Sequence, residues 1–256
     1  MAKYYVIGDI HGSINNLISL LHCMELDADT YVIMCGDVGI QYGYIGTTLP
    51  QVMKQYPCTF IVMRGNHDTR YWKYYSQDHE SCEIFEQWGN KFLREKNYPN
   101  VWYVRDEGGL YEIPELGSCL FVPGAYSIDK YYRLRSNLPY EEDEQLTYSE
   151  MDKLVRIAKT HDIDYVFSHT CPKSWILQFV DLFLPGVDES QVDHSMEKML
   201  DIIYEQIQGQ YQMWFFGHYH DDRVIRDDDI LGIMLYHKFA EIGGYSERQD
   251  STSDLS

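Results

Sequence analysis

The chain has 256 residues, 45% hydrophobic and 24% charged, which is the composition of an ordinary globular protein with a substantial core. Asp and Glu number 40 against 21 Lys and Arg, a formal net charge of −19. So acidic a surface repels phosphate backbones and anionic membranes, which argues against a nucleic-acid coat or a membrane-surface binder but leaves room for a cation site. In chain order, Lys3–Gly8 is a β-branched and aromatic run that predicts a strand ending in glycine. Ile14–Met24 has helical spacing, with Ser13 as N-cap. Thr30–Cys35 is a second strand, a helix is expected around Leu49–Gln55, and Cys58–Met63 is a third strand closed by Gly65. Strand–loop–helix repeated in this way implies a parallel sheet with right-handed crossovers, and ligands then bind at the carboxyl ends of the strands.

Cys82–Arg94 also has helical spacing. From Val101 the pattern shortens. Val101–Val104, Gly109–Ile113 and Cys119–Val122 predict short strands paired antiparallel. Tyr126–Tyr148 reads as an irregular loop whose acidic run, Glu141–Glu144, is solvated. A helix over Ser149–Thr160 leads to a strand at Asp164–Phe167. Helical patterns follow at Pro172–Phe183 and Val192–Ile207, with a stretch between them suited to a lid. Gln212–Phe216 is a strand, and Val224–Arg226, Gly232–Tyr236 and Phe239–Ile242 read as closing antiparallel strands. Residues 1–245 are expected to form a single domain, and Ser246–Ser256 a flexible tail. No apolar run approaches the ~20 residues of a membrane span, and Met1–Tyr5 enters a strand without a signal-peptide core. Cys23, Cys35, Cys58, Cys82, Cys119 and Cys171 form no CxxC pair, so they read as reduced core residues of a cytoplasmic protein.

Five motifs stand at strand ends: Gly8-Asp9-Ile10-His11-Gly12, Gly36-Asp37-Val38-Gly39, Gly65-Asn66-His67-Asp68, Ser168-His169-Thr170 and Gly217-His218-Tyr219-His220. Each is ordinary alone, since Gly, Asn and Asp all favour turns. Together they bring two carboxylates, an amide and four imidazoles, besides His67, to one end of the strands. Mixed nitrogen and oxygen donors suit zinc, manganese or iron rather than calcium. The set exceeds what one ion needs and fits two ions about 3.5–4 Å apart. Two residues apart in extended backbone, Asp9 and His11 project to the same side, as do His218 and His220.

The ordered set resembles the calcineurin-like metallophosphoesterase superfamily, whose pattern is DxH, GD, GNH[DE], a lone H and GHxH, over about residues 4 to 242. The resemblance implies a four-layer α/β/β/α sandwich of two facing mixed sheets with a dimetal centre at the strand ends. Asp9, His11 and His220 resemble ligands of one ion, Asn66, His169 and His218 ligands of the other, and Asp37 the bridging carboxylate. His67 resembles the imidazole beside the substrate phosphate. The chain departs from the GDxxDRG pattern of the protein-phosphatase branch: Ile40 stands at the second Asp and Gln41 at the Arg. The partner of His67 is therefore open, with Asp68 a candidate, and the substrate grip must come from elsewhere. Arg64, Tyr126, Lys130 and Arg133 are the candidates.

The expected function is hydrolysis of a phosphoester in a small phosphorylated molecule or nucleotide by metal-activated water, with two divalent ions (Mn favoured over Fe or Zn). A diester is slightly favoured over a monoester. A non-catalytic metal-bound scaffold and a nuclease are the alternatives; the acidic balance disfavours long nucleic acid as a partner. The sequence leaves the oligomeric state open.

Overall fold

The structure, a computed structural model, describes residues 1–41, 48–138, 140–182, 192–208, 212–227 and 230–243. Successive residues of a strand face opposite ways, so an unbroken apolar run needs cover on both faces. That is the situation of β1 (Lys3–Ile7), β2 (Thr30–Cys35) and β3 (Thr59–Met63). Tyr4, Val6, Ile33, Cys35, Ile61 and Met63 meet a second sheet. Tyr5, Ile7, Val32, Met34, Phe60 and Val62 pack with α1 (Ile14–Leu21), α2 (Leu49–Met53) and α3 (Tyr71–Tyr75). The three strands are parallel, with Tyr4 opposite Tyr31 and Tyr31 opposite Thr59.

The first sheet is completed by β4 (Cys82–Gln87), β5 (Asn90–Glu95), β6 (Val101–Tyr103) and β13 (Phe239–Ile242), in the order β13-β1-β2-β3-β6-β5-β4. The second holds β7 (Gly109–Ile113), β8 (Gly117–Val122), β9 (Tyr165–Ser168), β10 (Gln212–Phe216), β11 (Arg223–Asp227) and β12 (Ile230–Met234), in the order β11-β12-β10-β9-β8-β7. Between the sheets, Phe121, Phe167 and Phe215 stack at 5.0 and 5.6 Å. Outside the second sheet lie α5 (Tyr148–Thr160), α6 (Lys173–Ile176) and α7 (Ser195–Ile207), packed on Leu120, Val166, Trp214 and Phe216. The order helix, sheet, sheet, helix is the four-layer sandwich expected. None of the described helices is long and apolar enough to cross a membrane.

Several elements differ from expectation. Cys82–Arg94 is not a helix but the β4–β5 hairpin, turned by Trp88 and Gly89, both at positive φ. β6 runs parallel to β3 rather than antiparallel to β7, and β12 is parallel to β10. Within 126–148 a short helix, α4 (Lys130–Arg135), forms with no buried residue. Glu144, expected in solvent, is 1% exposed. The helix expected over Pro172–Phe183 is α6 followed by a 3-10 turn at Leu177–Leu182. The core of the expected lid, 183–191, and the tail 246–256 lie outside the described residues.

Candidate metal centre

The parallel strands β1, β2 and β3 of one sheet, and β9 and β10 of the other, end at a common edge, and the motif loops there are tied to each other. Ile10 N and His11 N donate to Asp37 O at 3.0 and 2.7 Å, and Gly12 N donates to Val38 O at 2.8 Å. His67 N donates to Asp37 Oδ1 at 2.8 Å and His218 N to Asp9 Oδ1 at 2.9 Å. Asp68 lies below, its carboxylate accepting from Val38 N, Gly39 N and Gly65 N at 3.0, 2.7 and 2.9 Å. It joins two loops through their backbones. Gly65 and Gly217 let backbone lie against the two carboxylates: a Cβ on them would stand 2.1 Å from Asp37 Oδ1 and from Asp9 Oδ1 respectively. His11, Asp37, His218 and His220 have φ of 49°, 48°, 70° and 54°, a region L residues seldom occupy.

The donor atoms converge. Asp9, His11 and His220 offer atoms within 4.8 Å of one another, and so do Asp9, Asp37 and His169. His11 Nε2 faces His220 Nε2 at 2.9 Å, and both face Asp9 Oδ2, at 3.5 and 3.3 Å. Asn66 Oδ1 lies 2.7 Å from His169 Nε2 and 3.0 Å from His218 Nδ1. His169 turns Nδ1 to the carbonyl of Cys35 at 2.8 Å, which directs its other nitrogen into the cluster. The seven ligand residues expected from the motifs are thus gathered in one place.

Burial opposes ionisation of Asp9, but His11 and His220 outweigh it and hold the carboxyl at about 2. Burial likewise opposes ionisation of Asp37, and His169 pulls it far below the carboxylate range. Burial works against charge on His169 as well, yet Asp37 lifts it to about 9, while burial and the neighbouring His169 hold His218 at about 3. Among the described residues nothing makes a hydrogen bond of good geometry to the buried Asp9 Oδ2, which His11 and His220 only face. A buried carboxylate oxygen without a donor is costly unless a cation faces it. That oxygen and the imidazole nitrogens turned towards it fit divalent cations well.

A cavity of about 540 Å³ opens over the cluster, lined by His11, Asp37, Asn66, His67, His218 and His220 and by Ser127, Ile128, Asp129, Arg133 and Tyr219. Arg133 Nη2 stands 3.4 Å from His67 Nε2, and its Nε donates to Asp129 at 2.7 Å. Burial lowers the His67 imidazole and Arg133 adds to that effect, against the pull of Asp37. The other three substrate-side candidates do not line the cavity. Arg64 is buried and donates to the carbonyls of Asp106, Gly65 and Glu144. Tyr126 is buried, and Lys130 lies over its ring and that of Tyr140 at 5.5 and 5.1 Å. Ile40 packs in the helix-side core, and Gln41 donates to the His67 carbonyl at 2.6 Å. Ser127, Asp129 and Tyr219 were not singled out from sequence. For Ser127 and Asp129 the signal is position, since 123–129 follows β8 as the five motifs follow their strands, and Tyr219 lies inside the fifth motif.

The chain belongs to the calcineurin-like phosphoesterase family, which it matches over residues 2–222. The class so defined is that of metal-dependent phosphoester hydrolases. No curated protein matches the sequence. Among solved structures the chain is similar to a phosphopantetheinyl hydrolase from Mycobacterium tuberculosis, at a TM-score of 0.47 and 13% identity over 92% of this chain and 90% of that one. It is also similar to a 5'-nucleotidase from Candida albicans, at a TM-score of 0.43 and 13% identity over 94% of this chain and 50% of that one.

Proposed function

We propose that the protein hydrolyses a phosphoester bond in a small phosphorylated molecule or nucleotide with a pair of divalent cations, manganese favoured. The observation that carries this reading is the meeting of both sheets' strand ends around Asp9 and Asp37, with no hydrogen bond to the buried Asp9 Oδ2 among the described residues. Asp9, His11 and His220 would hold one cation, Asn66, His169 and His218 the other, and Asp37 would lie between them. Such a pair supplies a nucleophilic water at neutral pH and charge neutralisation at the phosphate. The chain supplies the rest. His67 and Arg133 stand side by side on the cavity wall, where a phosphate oxygen can take hydrogen bonds from both.

Two features favour a diester. His67 meets a guanidinium at Nε2 and is held below its ordinary value, so at neutral pH it seldom carries a proton to give a leaving oxygen. Arg133 is already paired with Asp129, so the wall offers little unbalanced positive charge for a dianion. The test compares bis-p-nitrophenyl phosphate with p-nitrophenyl phosphate on manganese-loaded protein. The diester should be cleaved with the higher kcat/KM, chelator should abolish the reaction, and His67→Ala, which removes a hydrogen bond to the phosphate, should reduce it by roughly 10²–10³-fold. Inertness towards both esters with two manganese ions bound would instead make the protein a metal-bound scaffold.

A further inference from the structure

Glu144 closes the acidic run, yet its carboxylate is buried and fully engaged. It accepts from Ser127 N at 3.1 Å, Ser127 Oγ at 2.5 Å and Tyr140 OH at 3.2 Å. Two buried arginines hold its segment in place. Arg64 donates to the Glu144 carbonyl at 2.8 Å, and Arg70 donates to the carbonyls of Asp143 and Gln145 at 3.3 and 3.0 Å. Neither guanidinium reaches the cavity, so their effect on the site runs through this segment.

Ser127 stands between Glu144 and the metal cluster. A serine hydroxyl has one hydrogen, and an ionised carboxylate can only accept. With its hydrogen given to Glu144, Ser127 Oγ can only accept on its other side. The group there is Asn66 Nδ2, at 2.8 Å. The amide is thereby oriented with Nδ2 outward and Oδ1 towards His169 and His218. The opposite orientation would present an NH₂ group, which has no lone pair for a cation.

We propose that Glu144 and Ser127 are positioning residues that fix the Asn66 amide oxygen-inward, and so set the affinity of the centre for the divalent cation that Asn66, His169 and His218 would hold. This rests on the two-cation reading above. Glu144→Gln tests it with little change of shape. Its amide oxygen can keep the bond from Ser127 N, which puts an NH₂ against Ser127 Oγ and frees the hydroxyl hydrogen to turn towards Asn66. Manganese binding would be followed by calorimetry and by electron paramagnetic resonance. Glu144→Gln and Ser127→Ala should each weaken one of the two equivalents of manganese by roughly 10–100-fold and leave the other unchanged. Ser127→Thr, which keeps the hydroxyl, should bind both equivalents as the parent does. Should Glu144→Gln not fold, the Ser127→Ala and Ser127→Thr pair decides the matter. The positioning role is overturned if Ser127→Ala, or a folded Glu144→Gln, binds two equivalents with parental affinity. If the parent binds fewer than two, or Asn66→Ala keeps both tightly, the two-cation reading fails and takes the positioning role with it.

Discussion

Four of the candidate ligands, His11, Asp37, His218 and His220, hold a left-handed backbone that costs on the order of 1–3 kcal/mol each. Such strain persists only where neighbours over-determine it, and here they do: Asp37 O takes two backbone donors, and Asp9 Oδ1 and Asp37 Oδ1 each take one. The ligands are therefore positioned before any cation arrives, by bonds that link one motif to the next. This makes the glycines beside them sensitive. Gly217→Ala drives a Cβ to 2.1 Å from Asp9 Oδ1. Overpacking of this kind costs about 1–3 kcal/mol, so the variant should melt at a lower temperature and take up manganese poorly. A Tm and a manganese affinity equal to the parent's would show that the carboxylate does not need its present place. The ligand types were legible in the sequence because each closes an apolar strand. The substrate-side candidates were legible only in part. Arg64, Arg133, Tyr126 and Lys130 have long side chains, and which way they turn depends in part on partners distant in sequence, such as Glu144 for Arg64 and His67 for Arg133.

Among the elements, the β4–β5 hairpin and the 126–148 segment show where sequence reading stops. Cys82, Phe85, Trp88, Phe92 and Leu93 satisfy a helical spacing as well as a hairpin register, and only Gly89 at the centre spoke for the turn. The segment before α5 reads as solvated because its charges are dense. In the structure the last two of its four carboxylates are engaged, Asp143 with Arg70 and Lys73, and Glu144 with Ser127, while Glu142 is exposed. Arg70 also binds Glu150, at 2.9 Å, on the first turn of α5. Burial works against the Glu150 charge, but Arg70 prevails and holds its carboxyl below the usual value of 4.5. A depressed carboxyl adds stability that is fully present above the unfolded value and is lost as pH falls through the folded one. Glu150→Gln keeps the capping contact with Thr147 and removes the charge. Its Tm should lie below the parent's at pH 7, with the gap closing as pH falls below 4.5. A gap independent of pH would mean that the charge contributes nothing.

At the scale of the whole molecule, the sandwich follows from two sets of apolar strands that each need cover on both faces. The parallel half was readable because strand and helix alternate from Lys3 to Met63. The return of β13 to the edge of β1, and the parallel seating of β12 beside β10, were not, since both pairings are made by strands far apart in sequence or joined by an interrupted path. The net charge of −19 is largely a property of the surface, and two bound divalent cations would leave it strongly negative. The cavity of about 540 Å³ then suits a small ester, while an extended polyanion meets repulsion outside it. The central claim is that two cations, held by Asp9, His11, Asp37, Asn66, His169, His218 and His220, act together on a phosphoester. It is tested most directly by titrating metal-free protein with manganese while following hydrolysis of bis-p-nitrophenyl phosphate. Hydrolysis should rise chiefly with the second equivalent per chain and level off once it is bound. Full activity at one equivalent, or none at two, would contradict the claim.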